Sequence, residues 1–272
     1  MSSIDRAHWL QVTRAAAAVA SEFITAASHE REHLVWEEKS ATDFVSRVDL
    51  GAEERIRAHF AAHAPDVRIV GEELGGGSTH EGLVAIVDPL DGTTNFLHGF
   101  PVYAVSIAMS HKGVLTQGVV YDPVRNDLFT ATRGAGAFLN DRRIRVSKRD
   151  KLIDCLVATG FPFRMFDHTD AYIAMMRDFM RKTAGIRRPG AAALDLANVA
   201  AGRMDGFWEI GLSPWDMAAG VLLVQEAGGL VGDLQGNDGY MTSGNIVAAS
   251  PRIFPQMLEV IRGHLTEPLR AS

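Results

Sequence analysis

Asp88-Pro89-Leu90-Asp91-Gly92-Thr93-Thr94-Asn95-Phe96 places two carboxylates, a glycine and two hydroxyls within nine residues, directly after the unbroken apolar run Leu83 to Val87. A short apolar run that ends in a turn reads as a buried strand. Gly92, Thr93 and Thr94 then read as a helix start, where backbone N–H groups without intrahelical acceptors favour an anion such as phosphate. Asp88 and Asp91 are hard oxygen donors. Mg²⁺ commonly takes one or two carboxylates together with water and phosphate oxygens, so metal and phosphate could share this spot. The stretch therefore points to phosphoryl chemistry.

Further acids stand where they could join it. Val67 to Val70 reads as a strand followed at once by Gly71-Glu72-Glu73, so two sequential strands both end in carboxylates, and sequential strands often lie side by side. Asp49 falls in the first turn of a helix whose apolar stripe is Val48, Ala52, Ile56 and Phe60 and which stops near Pro65. Read alone, Asp49 is a carboxylate well placed against the helix dipole. Lys39 and Asp43 precede it in a polar segment, Trp36 to Val45. Ser213-Pro214-Trp215-Asp216 has the pattern of a capping box with proline at the first helical position, which accounts for Asp216 without excluding it as a metal ligand. Glu209 sits near the end of a strand-like run, Met204 to Ile210.

The elements that must position these groups follow from periodicity. Residues 5–27 predict an alanine-rich helix. Val102 to Met109, Val114 to Tyr121 and Leu128 to Thr132 predict an antiparallel meander. Leu156 to Thr159 is a short strand. Tyr172, Met176, Phe179 and Met180 predict the buried stripe of a helix beginning near Thr169. After the Pro189-Gly190 turn, Ala191 to Ala201 predicts a helix closed by Gly202, with small residues at its start that let a ligand approach the backbone. A helix with Met217, Val221 and Val224, a strand near Ile246 to Ala249 and a last amphipathic helix from Phe254 to Leu265 complete the chain. With no linker or repeat, residues 1–272 read as one unit of two lobes, roughly 1–140 and 141–272.

A hydrophobic content of 47% over 272 residues suits a globular enzyme. The net charge of −6 gives no overall electrostatic reason to bind nucleic acid or an anionic membrane, although it does not exclude a transcription partner. The most basic run, Arg142 to Lys151, lacks interleaved aromatics and reads as a solvated face. Cys155, the single cysteine, cannot form an internal disulfide, and no secretory signal or membrane span is apparent, so a soluble, cytoplasmic setting is expected. The ten histidines show no zinc-type pairing.

Taken together, Gly71-Glu72-Glu73, Asp88 to Phe96 and Trp215-Asp216-Met217-Ala218-Ala219-Gly220 resemble the inositol monophosphatase family, and the stretches Gly190 to Leu196 and Ala201 to Glu209 resemble its bacterial inositol-1-monophosphatases. The resemblance implies a layered αβαβα sandwich of the inositol monophosphatase and fructose-1,6-bisphosphatase type, dependence on two or three Mg²⁺ ions, a small phosphorylated polyol substrate, most simply inositol 1-phosphate, and a homodimer. It implies that Glu72, Asp88 and the Leu90 carbonyl hold one metal and that Asp88, Asp91 and Asp216 hold a second. Gly92 and Thr93 amides would cradle the phosphate. Thr93, oriented by Asp49, would position the attacking water with Glu72, and Lys39 would lie near the metals. Asp91, Asp216, Glu209 and the turn Gly190, Ala191, Ala192 would contact the leaving group.

Three alternatives stay open at this level. A haloacid-dehalogenase-type phosphatase would need a nucleophilic aspartate two residues before the acid, whereas Asp88 and Asp91 are three apart with proline between. Relatives of the same fold act on histidinol phosphate, 3′-phosphoadenosine 5′-phosphate, fructose 1,6-bisphosphate or NADP. A regulatory or scaffold protein with a residual site is the third.

Overall fold

The computed structural model describes residues 3–30, 36–40, 43–79, 81–163 and 165–271. In chain order these form α1 (Ser3–Ser28), β1 (Trp36–Ser40), β2 (Asp43–Ser46), α2 (Arg47–His63), β3 (Arg68–Gly71), β4 (Leu83–Asp91), α3 (Thr93–Leu97), β5 (Ala104–His111), β6 (Val114–Asp122), β7 (Asp127–Thr132), β8 (Gly136–Leu139) and β9 (Arg142–Arg143). There follow β10 (Leu156–Thr159), α4 (Thr169–Lys182), β11 (Gly185–Arg187), α5 (Ala192–Ala200), β12 (Gly206–Glu209), α6 (Pro214–Glu226), β13 (Leu230–Gly232), α7 (Tyr240–Ser243), β14 (Ile246–Ala249), α8 (Phe254–Arg262) and α9 (Glu267–Ala271).

Strand alternation sorts the side chains into layers. β3 to β9 make a seven-stranded sheet in sequence order, antiparallel except for the parallel pair β3 and β4. On one face Ala85, Val87, Val105 and Ile107 pack with Ala16, Ile24, Ile56 and Phe60 of α1 and α2. On the other, Val84, Ile86, Ala104 and Ala108 pack with α5 and α6. Those two helices are covered in turn by a mixed five-stranded sheet, β11-β10-β12-β14-β13, through Ala158, Phe207 and Ala248. The far face of that sheet, with Val157, Trp208 and Val247, rests on Tyr172 and Phe179 of α4 and Met257 and Ile261 of α8. The order of layers is α, β, α, β, α, as the resemblance implied.

The structure differs from the sequence reading in particular places. Within Trp36 to Val45, read only as polar, lie β1 and most of β2, which pair antiparallel. The buried side of α4 is Tyr172, Met175 and Phe179, and Met180 is 66% exposed, because the helix turns that face away from the five-stranded sheet. β4 runs on past Val87 to Asp91. Its pairing with β5 steps from Asp88 opposite Ser106 to Asp91 opposite Ala104, so one extra residue is bulged out where Pro89 lacks an N–H for the ladder.

The central helices approach closely. A Cβ on Gly220 of α6 would lie 2.5 Å from the Leu196 Cβ of α5. Gly220→Ala should therefore overpack the middle layer and cost about 1–3 kcal/mol. At about 2–4 °C per kcal/mol for a chain of this size, thermal denaturation should show a drop of several degrees, and an unchanged melting temperature would contradict this packing.

Candidate active site

The bulge in β4 decides the geometry of the site. Along an undistorted strand, residues three apart point to opposite faces. With the extra residue, Asp88 and Asp91 sit opposite Ser106 and Ala104, which are two apart and share the face toward α6. Glu72 follows Val70 on the neighbouring strand with the same phase, and its N–H continues the pairing to the Val87 carbonyl at 3.1 Å. Asp216 arrives from the first turn of α6, fixed by a capping box in which the Ser213 N–H donates to Asp216 Oδ2 at 2.7 Å. Ligand oxygens of Glu72, Asp88 and Asp216 all lie within 4.8 Å of one another, the one group among the described residues able to hold a metal ion in this way.

Asp91 adjoins this triad and is held from the other central helix, where the Ala193 N–H donates to Asp91 Oδ2 at 2.8 Å. Asp88, Asp91 and Asp216 are all buried. Burial pushes Asp88 well above the ordinary carboxylate range, and Glu72, Asp91 and Asp216 push it the same way against a single Leu90 N–H. Asp91 is raised too, by burial and then by Asp216, while the amides of Ala193 and Ala192 pull it down. A buried set of hard carboxylate oxygens that repel one another is the donor chemistry a divalent cation such as Mg²⁺ satisfies, so these residues fit the metal.

Thr93 stands beside them. Its hydroxyl has Asp49 Oδ1 at 2.6 Å and the Leu90 carbonyl at 3.1 Å as acceptors. Asp49 is the N3 member of the α2 capping box, and its Oδ2 accepts from the Ser46 N–H at 2.8 Å and the Ser46 hydroxyl at 2.6 Å. Burial raises the Asp49 pKa, opposed by those hydrogen bonds from Ser46 and Thr93. The dipole-favoured residue of the sequence reading is thus also an acceptor for the threonine. α3 is a single short helix, so its anion-binding capacity lies in the first-turn N–H groups rather than in a macrodipole. Gly92 opens it at φ 89, where a Cβ would meet the Val102 carbonyl at 2.9 Å and the Ala191 Cβ at 3.3 Å.

A cleft of 160 Å³ borders the acids, lined by Asp91 and Asp216 together with Gly190, Ala191, Ala192 and Glu209. Of the expected site residues, Asp91, Asp216, Gly190, Ala191, Ala192 and Glu209 line this cleft, Glu72 and Asp88 join it through Asp216, and Thr93 is bonded to Asp49 and the Leu90 carbonyl; the side chain of Lys39 lies outside the described residues. Three positioning residues escaped the sequence reading. Glu53, buried and paired with Arg57 at 2.7 Å, accepts from the Glu73 N–H at 2.9 Å and so fixes the turn that carries Glu72. Its spacing of four from both Asp49 and Arg57 on one helix was the available signal. Asn95 Nδ2 donates to the carbonyls of Val102 at 2.8 Å and Pro189 at 2.9 Å, tying α3 to the Gly190 turn. Asp195, one turn into α5, is buried with Oδ1 lacking a hydrogen-bond partner, and burial, Glu209 and Asp91 raise it against Arg188.

The sequence profile of the inositol monophosphatase family matches residues 5–266. The chain belongs to that family. It is 50% identical over 251 residues to the putative Nus factor SuhB of Neisseria meningitidis, covering 92% of this chain and 96% of that one. Among solved structures, the extragenic suppressor protein SuhB of Bartonella henselae superposes with a TM-score of 0.90 at 43% identity, covering 94% of this chain and 98% of that one. The inositol monophosphatase of Anabaena gives a TM-score of 0.85 at 34% identity, over 97% and 98% of the two chains. No described helix is long and apolar enough to cross a membrane.

The raised carboxyls fix the sign of the pH dependence. A carboxyl whose folded pKa is raised contributes stability below its unfolded pKa and loses it as pH rises through the folded value. In chelator, the melting temperature should therefore fall as pH rises above the ordinary carboxylate range, and Asp195→Asn should flatten that fall. A melting temperature that rises steadily with pH there would contradict the assignment.

Proposed function

We propose that this chain is a Mg²⁺-dependent phosphate monoester hydrolase that releases phosphate from a small polyol by direct attack of water, with inositol 1-phosphate as the simplest substrate. The convergence of Glu72, Asp88 and Asp216 beside the start of α3 carries this reading. Glu72, Asp88 and the Leu90 carbonyl would hold one ion and Asp88, Asp91 and Asp216 another, with Asp88 shared. When bound, the ions would neutralise the phosphate, lower the pKa of water and stabilise the departing oxygen.

The protein's own groups supply the rest. With its proton donated to Asp49, the Thr93 hydroxyl turns its lone pairs toward the site and accepts a hydrogen bond from the attacking water. Glu72, on the adjoining strand end, accepts the second proton of that water. First-turn amides at Gly92 and Thr93 bind phosphate oxygens. Glu209, at the far side of the cleft, accepts from hydroxyls of the leaving group, and the small turn Gly190 to Ala192 lets the ring approach the backbone. The three-residue spacing of Asp88 and Asp91 and the direct route for water leave no covalent phosphoenzyme. A cytoplasmic homodimer accords with the family resemblance.

A second reading rests on the relatives named as Nus factors, similar to this chain over nearly their full length. Their name supports an additional partner in the transcription machinery, separate from the carboxylate site.

Asp91→Asn or Asp216→Asn should lower Mg²⁺-dependent phosphate release by about a hundredfold or more with the circular dichroism spectrum unchanged. Thr93→Val should lower kcat by about a hundredfold while the melting temperature still rises on addition of Mg²⁺. Near-normal turnover in the aspartate variants, across a panel of inositol 1-phosphate, histidinol phosphate, 3′-phosphoadenosine 5′-phosphate, fructose 1,6-bisphosphate and NADP, would refute the ligand set. Phosphate release from no member of the panel by the unaltered protein would favour the regulatory reading alone.

A further inference from the structure

The cleft that Asp91 and Asp216 line also carries a cation, Arg188. Phe161 and Phe163, just after β10, line the cleft and are 37% and 39% exposed. The Arg188 guanidinium lies 4.9 Å from the centroid of the Phe161 ring and 5.1 Å from that of Phe163. The two rings meet edge to face at 5.6 Å, and Phe161 is braced from below by Tyr172 at 5.9 Å. Among the described residues no carboxylate forms an ion pair with Arg188, although Glu209, Asp91 and Asp216 line the same cleft.

An arginine held by ring faces instead of by an acid keeps its N–H edges for another acceptor. Its place in the chain is also fixed. Two residues after it, the Gly190 turn is tied to α3 through Asn95, and the following amides hold Asp91. Arg188 is therefore held at a set position relative to the groups proposed to bind the reacting phosphate. Among the described residues lining the cleft, Arg188 is the one cation, and Glu209 is an acid that lines the same cleft.

We propose that Arg188, positioned by Phe161 and Phe163, is a specificity determinant that binds a second anionic group on the leaving group, either a phosphate or a carboxylate. This deepens the phosphatase reading and rests on it. Polyols bearing a second anion would then be preferred over neutral polyols of the same size, with Glu209 still taking a hydroxyl.

Two matched pairs test it: fructose 1,6-bisphosphate against fructose 1-phosphate, and 2-phosphoglycerate against glycerol 2-phosphate. The unaltered enzyme with Mg²⁺ should favour at least one doubly charged member in kcat/KM by about tenfold or more, chiefly through KM and less at high salt. Arg188→Gln should remove that preference while leaving turnover of the neutral members within about twofold, Arg188→Lys should restore part of it, and Phe161→Ala should weaken it. A loss shared equally by both members of each pair, or no preference in the unaltered enzyme, would overturn the assignment while leaving the phosphatase reading intact. Release of phosphate from none of the four compounds, nor from inositol 1-phosphate, would overturn both.

Discussion

Like-charge repulsion in a buried place is the constraint that the rest of the structure answers. At the 4.8 Å spacing of the acid triad, two full charges repel by roughly 3–4 kcal/mol at an effective dielectric of about 20. Left to side-chain preference, these groups would separate into water. They are held together because each is fastened to rigid backbone before it reaches the others. Glu72 and Asp88 stand at the ends of paired strands, the β4 bulge brings Asp91 to the same face, and a capping box fixes Asp216. Held this way, the acids carry an electrostatic cost of the kind that a divalent cation relieves.

Helix caps supply much of that fastening. In α2 and in α6 the N3 aspartate of a capping box serves both helix and site. Asp49 gives one oxygen to Ser46 and the other to Thr93. Asp216 accepts the Ser213 N–H while its carboxylate joins Glu72 and Asp88. A residue that satisfies a local rule is therefore not excluded from chemistry, since a carboxylate has more acceptor sites than one cap uses. The α5 start works differently, with no side-chain cap and an amide that binds Asp91 of the neighbouring sheet instead.

The same distinction explains what could be read from residues alone. The apolar run into Asp88, the meander, the alanine-rich helices and the capping box of α6 were legible because each depends on neighbours in sequence. The layered order and the acid cluster were reached through the resemblance of three blocks, and the structure shows the cluster built from those blocks. The pairing of β1 with β2 was missed because these strands carry little apolar alternation. The bulge was missed because the strand was read as ending with the apolar run at Val87, whereas the ladder resumes at Asp91. Met180 was placed inside because a helical stripe is wider than the contact it makes, and Met175 takes the buried position. Glu53 and Asn95 were silent because their partners are backbone groups far away in sequence.

The two ends of the cleft are built on different principles, and this bears on specificity. The end proposed to bind phosphate consists of backbone amides and carboxylates fixed by caps and strand pairing in the seven-stranded sheet and the central helices. The end proposed to take the leaving group consists of side chains, Phe161, Phe163, Arg188 and Glu209, carried by loops and strand ends of the five-stranded sheet. Changing a side chain at that end leaves the bulge, the two capping boxes and the Ala193 contact in place. On the proposed function, reaction type and substrate choice would thus be separable in this chain: the first is tied to carboxylates and amides placed by main-chain geometry, and the second to a few partly exposed groups lining the cleft.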